Sequence, residues 1–175
     1  YYPWRQLGRQ IVGCSEGESA EAMRLRLHEL IARLDVGAVN IPFLETMLAI
    51  DTEESRTALA NLSGEAVVSG VAAAVVNVIK AGLHRADGTR PHVIVLDDLH
   101  WSDMASLELV AQVATLAAFE PLLVICVLTR ESLNIEAVPG GFGLLYPVLK
   151  GLEENGRIRR GYFVAGLGAT QFALP

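Results

Sequence analysis

Apolar residues recur at helical spacing through the first half of the chain and then switch to short continuous runs. From Ser19 to Leu34, Met23, Leu27, Leu30, Ile31 and Leu34 share one face, while Arg24, Arg26 and Arg33 fall largely elsewhere. That pattern predicts an amphipathic helix, with Gly37 as its stop. Before it, residues 3–13 read as a short helix with Pro3 in the first turn, and Gly13 and Gly17 break the chain. Pro42 to Ile50 reads as a brief helix or turn under the core. Asp51 or Thr52 is placed to cap the next helix, with Glu53 and Glu54 favourable in its first turn. Ser63 is placed to cap a longer one, Glu65 to about Leu83. Val and Ala cover most faces of that helix, which predicts burial.

The pattern then shortens. Val93 to Leu96 is a β-branched run, the signature of a strand buried on both faces. The preceding ADGTRP, Ala86–Pro91, is a turn. Ser102 or Asp103 caps a helix from about Met104 to Phe119. Pro121 opens a second apolar run, LLVICVL, ending at Thr129–Arg130. Strand, helix, strand at this spacing predicts a right-handed βαβ unit with parallel strands. Asp97, Asp98 and Arg130 then share the C-terminal edge of one sheet, where open α/β sheets bind ligands. Farther on, Pro139–Gly141 is a turn or linker. Leu145, Val148, Leu149 and Leu152 predict a helix over 142–155, in which Pro147 is tolerable only within the first turn or as a kink. Gly156 stops it. RIRRGYFV alternates as a strand, GLGAT turns, and QFALP returns. A helix followed by such a hairpin is the second half of a winged-helix module.

Composition narrows the function classes. The chain has 175 residues, 51% hydrophobic and 19% charged, a globular composition with room for one domain or one plus a small module. Residues 67–79 are apolar-rich, but Ser69, Gly70 and Asn77 interrupt them and Lys80 ends them, so no membrane span is expected. YYPWRQLGRQ lacks a signal-peptide layout, and a cytoplasmic location is expected. The missing initiator Met suggests a fragment. Cys14 and Cys126 form no disulfide framework, and Cys126 reads as a small core residue. The four histidines are scattered without a nucleophile motif or metal-ligand spacing. The net charge of −6 lies entirely in residues 1–130, which offer no electrostatic footprint for DNA. The tail is neutral in sum, yet Arg157, Arg159 and Arg160 cluster in it.

Carboxylates at a strand end can hold Mg²⁺ against phosphates and polarise water. They can equally be a solvated strand end followed by a helix cap. The longer string LDDLHWSD, followed by ASLELV, closely resembles the Walker B segment of STAND-class P-loop ATPases, which occur in LuxR-type and related signalling regulators. PWRQL, PFLETMLAI, the long helix before the strand and the Thr-Arg ending the second strand also have counterparts there, so the resemblance covers roughly residues 1–130. It implies that Asp97 binds Mg²⁺, Asp98 polarises water as the catalytic group, and Arg130 senses the γ-phosphate of ATP. It places His100 and Trp101 beside the site, where Trp101 can equally pack at the helix start. The family's phosphate loop, G-x-x-x-x-G-K-[ST], is missing. Lys80 follows Ile79 and Lys150 follows Leu149, so no Gly-Lys pair occurs. Two carboxylates without that cradle repel ATP, and the isolated chain is expected to bind nucleotide poorly and hydrolyse little or none. Losing the loop also removes a central strand, which predicts an exposed sheet edge and either a rearrangement or a partner chain covering it.

The last part carries a second resemblance. PGGFGLLYPVLKGLEENGRIRRGYFVAGLGATQFALP closely matches a winged-helix segment of Lhr-type large helicase-related proteins, most strongly at RRGYFVxGLG, over roughly 131–175. In that family the module belongs to a DNA-translocating ATPase. The resemblance makes Arg157, Arg159 and Arg160 candidate phosphate contacts on the wing. Against it stands a plain solvated edge strand, its charges discouraging aggregation and partly cancelled by Glu153 and Glu154. The expected architecture is α/β. Residues 1–130 form a partial P-loop NTPase-like parallel sheet with helices, and residues 131–175 a winged-helix-like helix and hairpin. The expected function is an ATP-binding regulatory domain fragment, inactive alone. The alternatives are a nucleic-acid-binding winged-helix module of a helicase-related protein, or a fusion with no autonomous function.

Overall fold

In the first helix, α1 (Tyr2–Val12), Pro3 occupies the first turn, where its missing amide costs nothing, and Gly13 closes the end at φ 72°. The computed structural model describes residues 1–15, 17–85, 92–96, 102–126, 141–163 and 171–173. Ser19 caps α2 (Ala20–Leu34), its hydroxyl accepting from the Ala22 amide. This helix does not run to Gly37. Asp35 takes the left-handed conformation at φ 56°, and the Val36 amide donates back to the Ile31 carbonyl. That motif turns Val36 onto the core, so the apolar contact after the helix sets its end. Gly37 instead precedes a 3₁₀ turn, Ala38–Asn40, that leads into α3 (Ile41–Leu48). Thr52, rather than Asp51, caps α4 (Glu53–Leu59) through the Ser55 amide.

Ser63 caps α5 (Gly64–Arg85), accepting from the Ala66 amide. Ser69, Gly70 and Asn77 do not interrupt it. By length and composition this helix is long and apolar enough to cross a membrane, with a mean hydropathy of 1.9, which corrects the expectation that no such stretch exists. It is not buried on most faces either. Val71, Ala74, Val75, Val78, Ile79 and Leu83 form one buried stripe against α2, α3 and α6, while Ala73, Asn77 and Lys80 face outward.

Gly70 in this helix has a packing reason. A Cβ there would lie 2.2 Å from Cε1 of Phe43. Gly70→Ala is expected to lower stability by about 1–3 kcal/mol because the ring must move. Gly82, in the same helix, has nothing within 4 Å of its would-be Cβ, and Gly82→Ala should gain about 0.5–1 kcal/mol. Urea midpoints of the two variants check the pair, and equal midpoints would contradict it.

β1 (His92–Leu96) and β2 (Leu122–Cys126) are parallel, in register from His92↔Leu122 to Leu96↔Cys126. Between them runs α6 (Met104–Ala117), capped by Asp103, whose Oδ1 accepts from the Ser106 amide at 2.7 Å. The expectation of burial on both faces of β1 is corrected: Ile94 and Leu96 are buried, but Val93 and Val95 are 53% and 45% exposed. Among the described residues, helices cover one face of this strand only.

The second edge of β2 is not left open. After α7 (Gly141–Glu154) come β3 (Arg159–Gly161) and β4 (Gln171–Ala173). β4 pairs antiparallel with β2, Cys126 opposite Phe172, and β3 pairs antiparallel with β4, Arg160 opposite Phe172. The sheet order is β1-β2-β4-β3. The wing strand thus fills that edge of β2, while the outer edge of β1 pairs with no strand among the described residues. Cys126 sits half-buried at the junction, and burial pushes its thiol up to about 11. The structure is helix-rich, with a mixed sheet whose parallel part is a single strand pair.

Candidate nucleic-acid interface

Helix α7 ends where Gly156 adopts φ 70°, its amide donating to the Glu153 carbonyl and that of Arg157 to the Leu152 carbonyl. This tight exit turns the chain straight into β3. Ile158 is buried and anchors the turn. Successive side chains of a strand point to opposite faces, so in β3 Arg159 points away from the side that Arg160 takes. The contacts agree. Arg160 Nη1 donates to Tyr146 Oη at 2.9 Å, and its Nε lies 3.6 Å from Glu153 Oε1. Arg160 thus ties the wing to α7. Arg157 and Arg159 are exposed and make no hydrogen bond or ion pair with another described residue. Of the three predicted wing arginines, these two are free to meet a phosphate.

The helix itself offers little positive charge. Lys150 is its one cation, and it lies 3.7 Å from Glu154. Electrostatic attraction in this part of the chain therefore comes from the strand. Beyond β3, Phe163 folds back so that its ring lies 3.1 Å from where a Gly161 Cβ would be, and Tyr162 is 80% exposed. Sequence reasoning did not single out Tyr162. An aromatic residue directly after a basic strand was the available signal.

The β2-β4-β3 arrangement is antiparallel throughout, with α6 before β2 and α7 between β2 and the hairpin. That order of helices and strands is a winged-helix pattern. Its first strand is the same β2 that the βαβ reading assigned to the preceding part. The residues of the Walker B reading, Asp97, Asp98, His100 and Trp101, and the sensor Arg130, lie outside the described residues, as do the ADGTRP and GLGAT turns. Among the described residues, no group of three or more His, Cys, Asp or Glu side chains could hold a metal ion.

Comparison with known proteins bears on this same region. Residues 111–175 match the family described as large helicase-related protein, winged-helix domain. The match begins within α6 and so includes β2, leaving the preceding residues outside it. Two curated proteins are similar over a short stretch. One, described as Lhr helicase/probable uracil glycosylase from Mycolicibacterium smegmatis, is 54% identical over 48 residues; the other, described as Lhr helicase/uracil glycosylase from Escherichia coli, is 43% identical over 47 residues. Each stretch is 27% of this chain and 3% of the relative's length. No solved structure matches. The C-terminal part of this chain is thus similar to a winged-helix domain of Lhr-type helicase-related proteins.

Proposed function

We propose that the unit from α6 to β4 is a nucleic-acid-binding winged-helix module of a helicase-related protein. The observation that carries this reading is the pair of free, exposed guanidiniums, Arg157 and Arg159, at the start of a wing whose third arginine is fastened to α7. Guanidiniums at such a site contact phosphates and fix position without reading bases. The family match over 111–175 supports the same reading over a regulatory ATPase. This sequence holds no Gly-Lys pair that could serve as a phosphate loop beside Asp97 and Asp98 in the chain order of the regulatory ATPases. The surrounding charge is close to neutral, so binding is weak, and two phosphate contacts give it a modest salt dependence, a slope of about two.

Fluorescence anisotropy with labelled DNA, repeated across a salt series, tests this. Arg157→Ala with Arg159→Ala is expected to weaken binding about tenfold at low salt and to reduce the slope of log affinity against log salt by about two. Arg160→Ala should act through the wing's attachment, lowering the thermal midpoint as well as affinity. An unchanged isotherm in the double variant would sink the reading.

A further inference from the structure

Away from the wing, α1, α2, α5 and the start of the parallel strand pair line an open-mouthed cavity of about 420 Å³. Its wall is apolar: Leu7 and Ile11 from α1, Leu30 and Leu34 from α2, Val78, Ile79 and Leu83 from α5, and Val93, Ile94 and Leu122 from the strands. Two lining residues are not apolar. Arg33 is the single charged one, and it makes no hydrogen bond or ion pair with another described residue. His92 also lines the cavity, and its Nδ1 is buried without a hydrogen-bond partner. That nitrogen is closed off from the cavity itself, so Arg33 is the polar group a ligand would meet, and an apolar hollow with a single charge at its wall is one build of a small-molecule site.

We propose that this cavity binds an amphipathic carboxylate, a saturated chain of medium length whose acid group meets Arg33. The volume suits one such molecule and is small for a peptide helix. The charge is complementary: one unpaired cation on an otherwise apolar wall selects an anion with an apolar tail. Gly82 completes the wall, and nothing lies within 4 Å of a Cβ built there. A side chain at that position therefore starts into open space on the cavity wall.

Isothermal titration of the full chain with dodecanoate and, separately, dodecyltrimethylammonium tests this. Saturable binding of the carboxylate is expected, with the cation of equal chain length at least tenfold weaker. Arg33→Gln should weaken dodecanoate about tenfold, and because Arg33 is exposed this variant keeps its fold. Gly82→Leu should abolish binding while its urea midpoint stays at or above that of the parent. Equal binding of the two head groups, undiminished binding in Gly82→Leu, or no saturable binding of dodecanoate would each overturn the proposal. A chain that refuses dodecanoate because it pairs with a second copy over this cavity, seen by sedimentation, would overturn it as well.

Discussion

Trp4→Ala is expected to lower the unfolding free energy by about 3–5 kcal/mol. The indole is 1% exposed, and its Nε1 donates to the Ser106 carbonyl at 3.0 Å. Ser106 stands in the first turn of α6 and is itself fully buried. One side chain therefore fixes α1 against the helix that leads into β2. The surrounding core already holds a small cavity of about 30 Å³, lined by Trp4, Leu27, Leu44, Leu48 and Val75 among others. Removing the indole would enlarge it with little room to collapse. Trp4→Phe retains most of the packing and loses the hydrogen bond, so a cost nearer 1–2 kcal/mol is expected. Urea denaturation followed by far-ultraviolet circular dichroism measures both. Because α6 packs on β2 and β2 carries β4, the wing should melt in the same transition. A Trp4→Ala midpoint within about 1 kcal/mol of the parent would show that α1 contributes little to the core.

Helices and their caps were largely legible before the structure. Ser63 caps as read, and Thr52 and Asp103 are each the one of two candidates that does, because capping is a contact across three residues; the Ser19 cap was not read. The parallel strand pair was legible for a similar reason, since a helical connection between two apolar runs constrains it strongly. What lay hidden depends on residues far apart in the chain. Nothing in LLVIC says that its second edge will take QFA, and that pairing joins the wing to the preceding strand pair. The exposure of Val93 and Val95 was hidden too: an apolar run shows that a strand forms, not how many of its faces find a covering helix.

The candidate interface divides along the same line. Clustering of Arg157, Arg159 and Arg160 is visible as sequence, and so is the strand that presents them. That Arg160 is spent on Tyr146 and Glu153 is not, because those partners lie on the preceding helix and meet it only after the Gly156 turn. The cavity near Arg33 was equally invisible. Its lining draws on five elements, and in sequence Arg33 is one of three arginines on the outer side of an amphipathic helix.

The least legible residue is Glu45, and it carries the second large prediction. In PFLETMLAI it reads as the polar position of a short helix, yet it is 0% exposed. Its Oε1 accepts from Arg24 Nε at 2.8 Å and lies 3.3 Å from His28 Nε2; its Oε2 accepts from Thr52 Oγ1 at 2.7 Å and from Ser55 Oγ. One carboxylate thus joins α2, α3 and α4. Burial pushes the carboxyl up, but hydrogen bonds from Ser55, Thr52, Arg24 and His28 together outweigh it and hold the group below its ordinary value of 4.5. Glu45→Ala leaves those donors facing an empty site and should cost about 3–5 kcal/mol. Glu45→Gln keeps the shape and loses the charge, and about half that cost is expected, since hydroxyls can turn to accept from the amide. The pH dependence follows from the sign. A carboxyl depressed in the folded state contributes stability that is fully present above its unfolded value and is lost as pH falls through the folded one. The parent should therefore weaken steadily below about pH 4.5, and Glu45→Gln should weaken less over the same range. Urea midpoints taken from neutral pH downward decide it: parallel curves for the two proteins would mean that the Glu45 carboxyl titrates alike in the folded and unfolded chain, so that its hydrogen bonds do not favour the charged form.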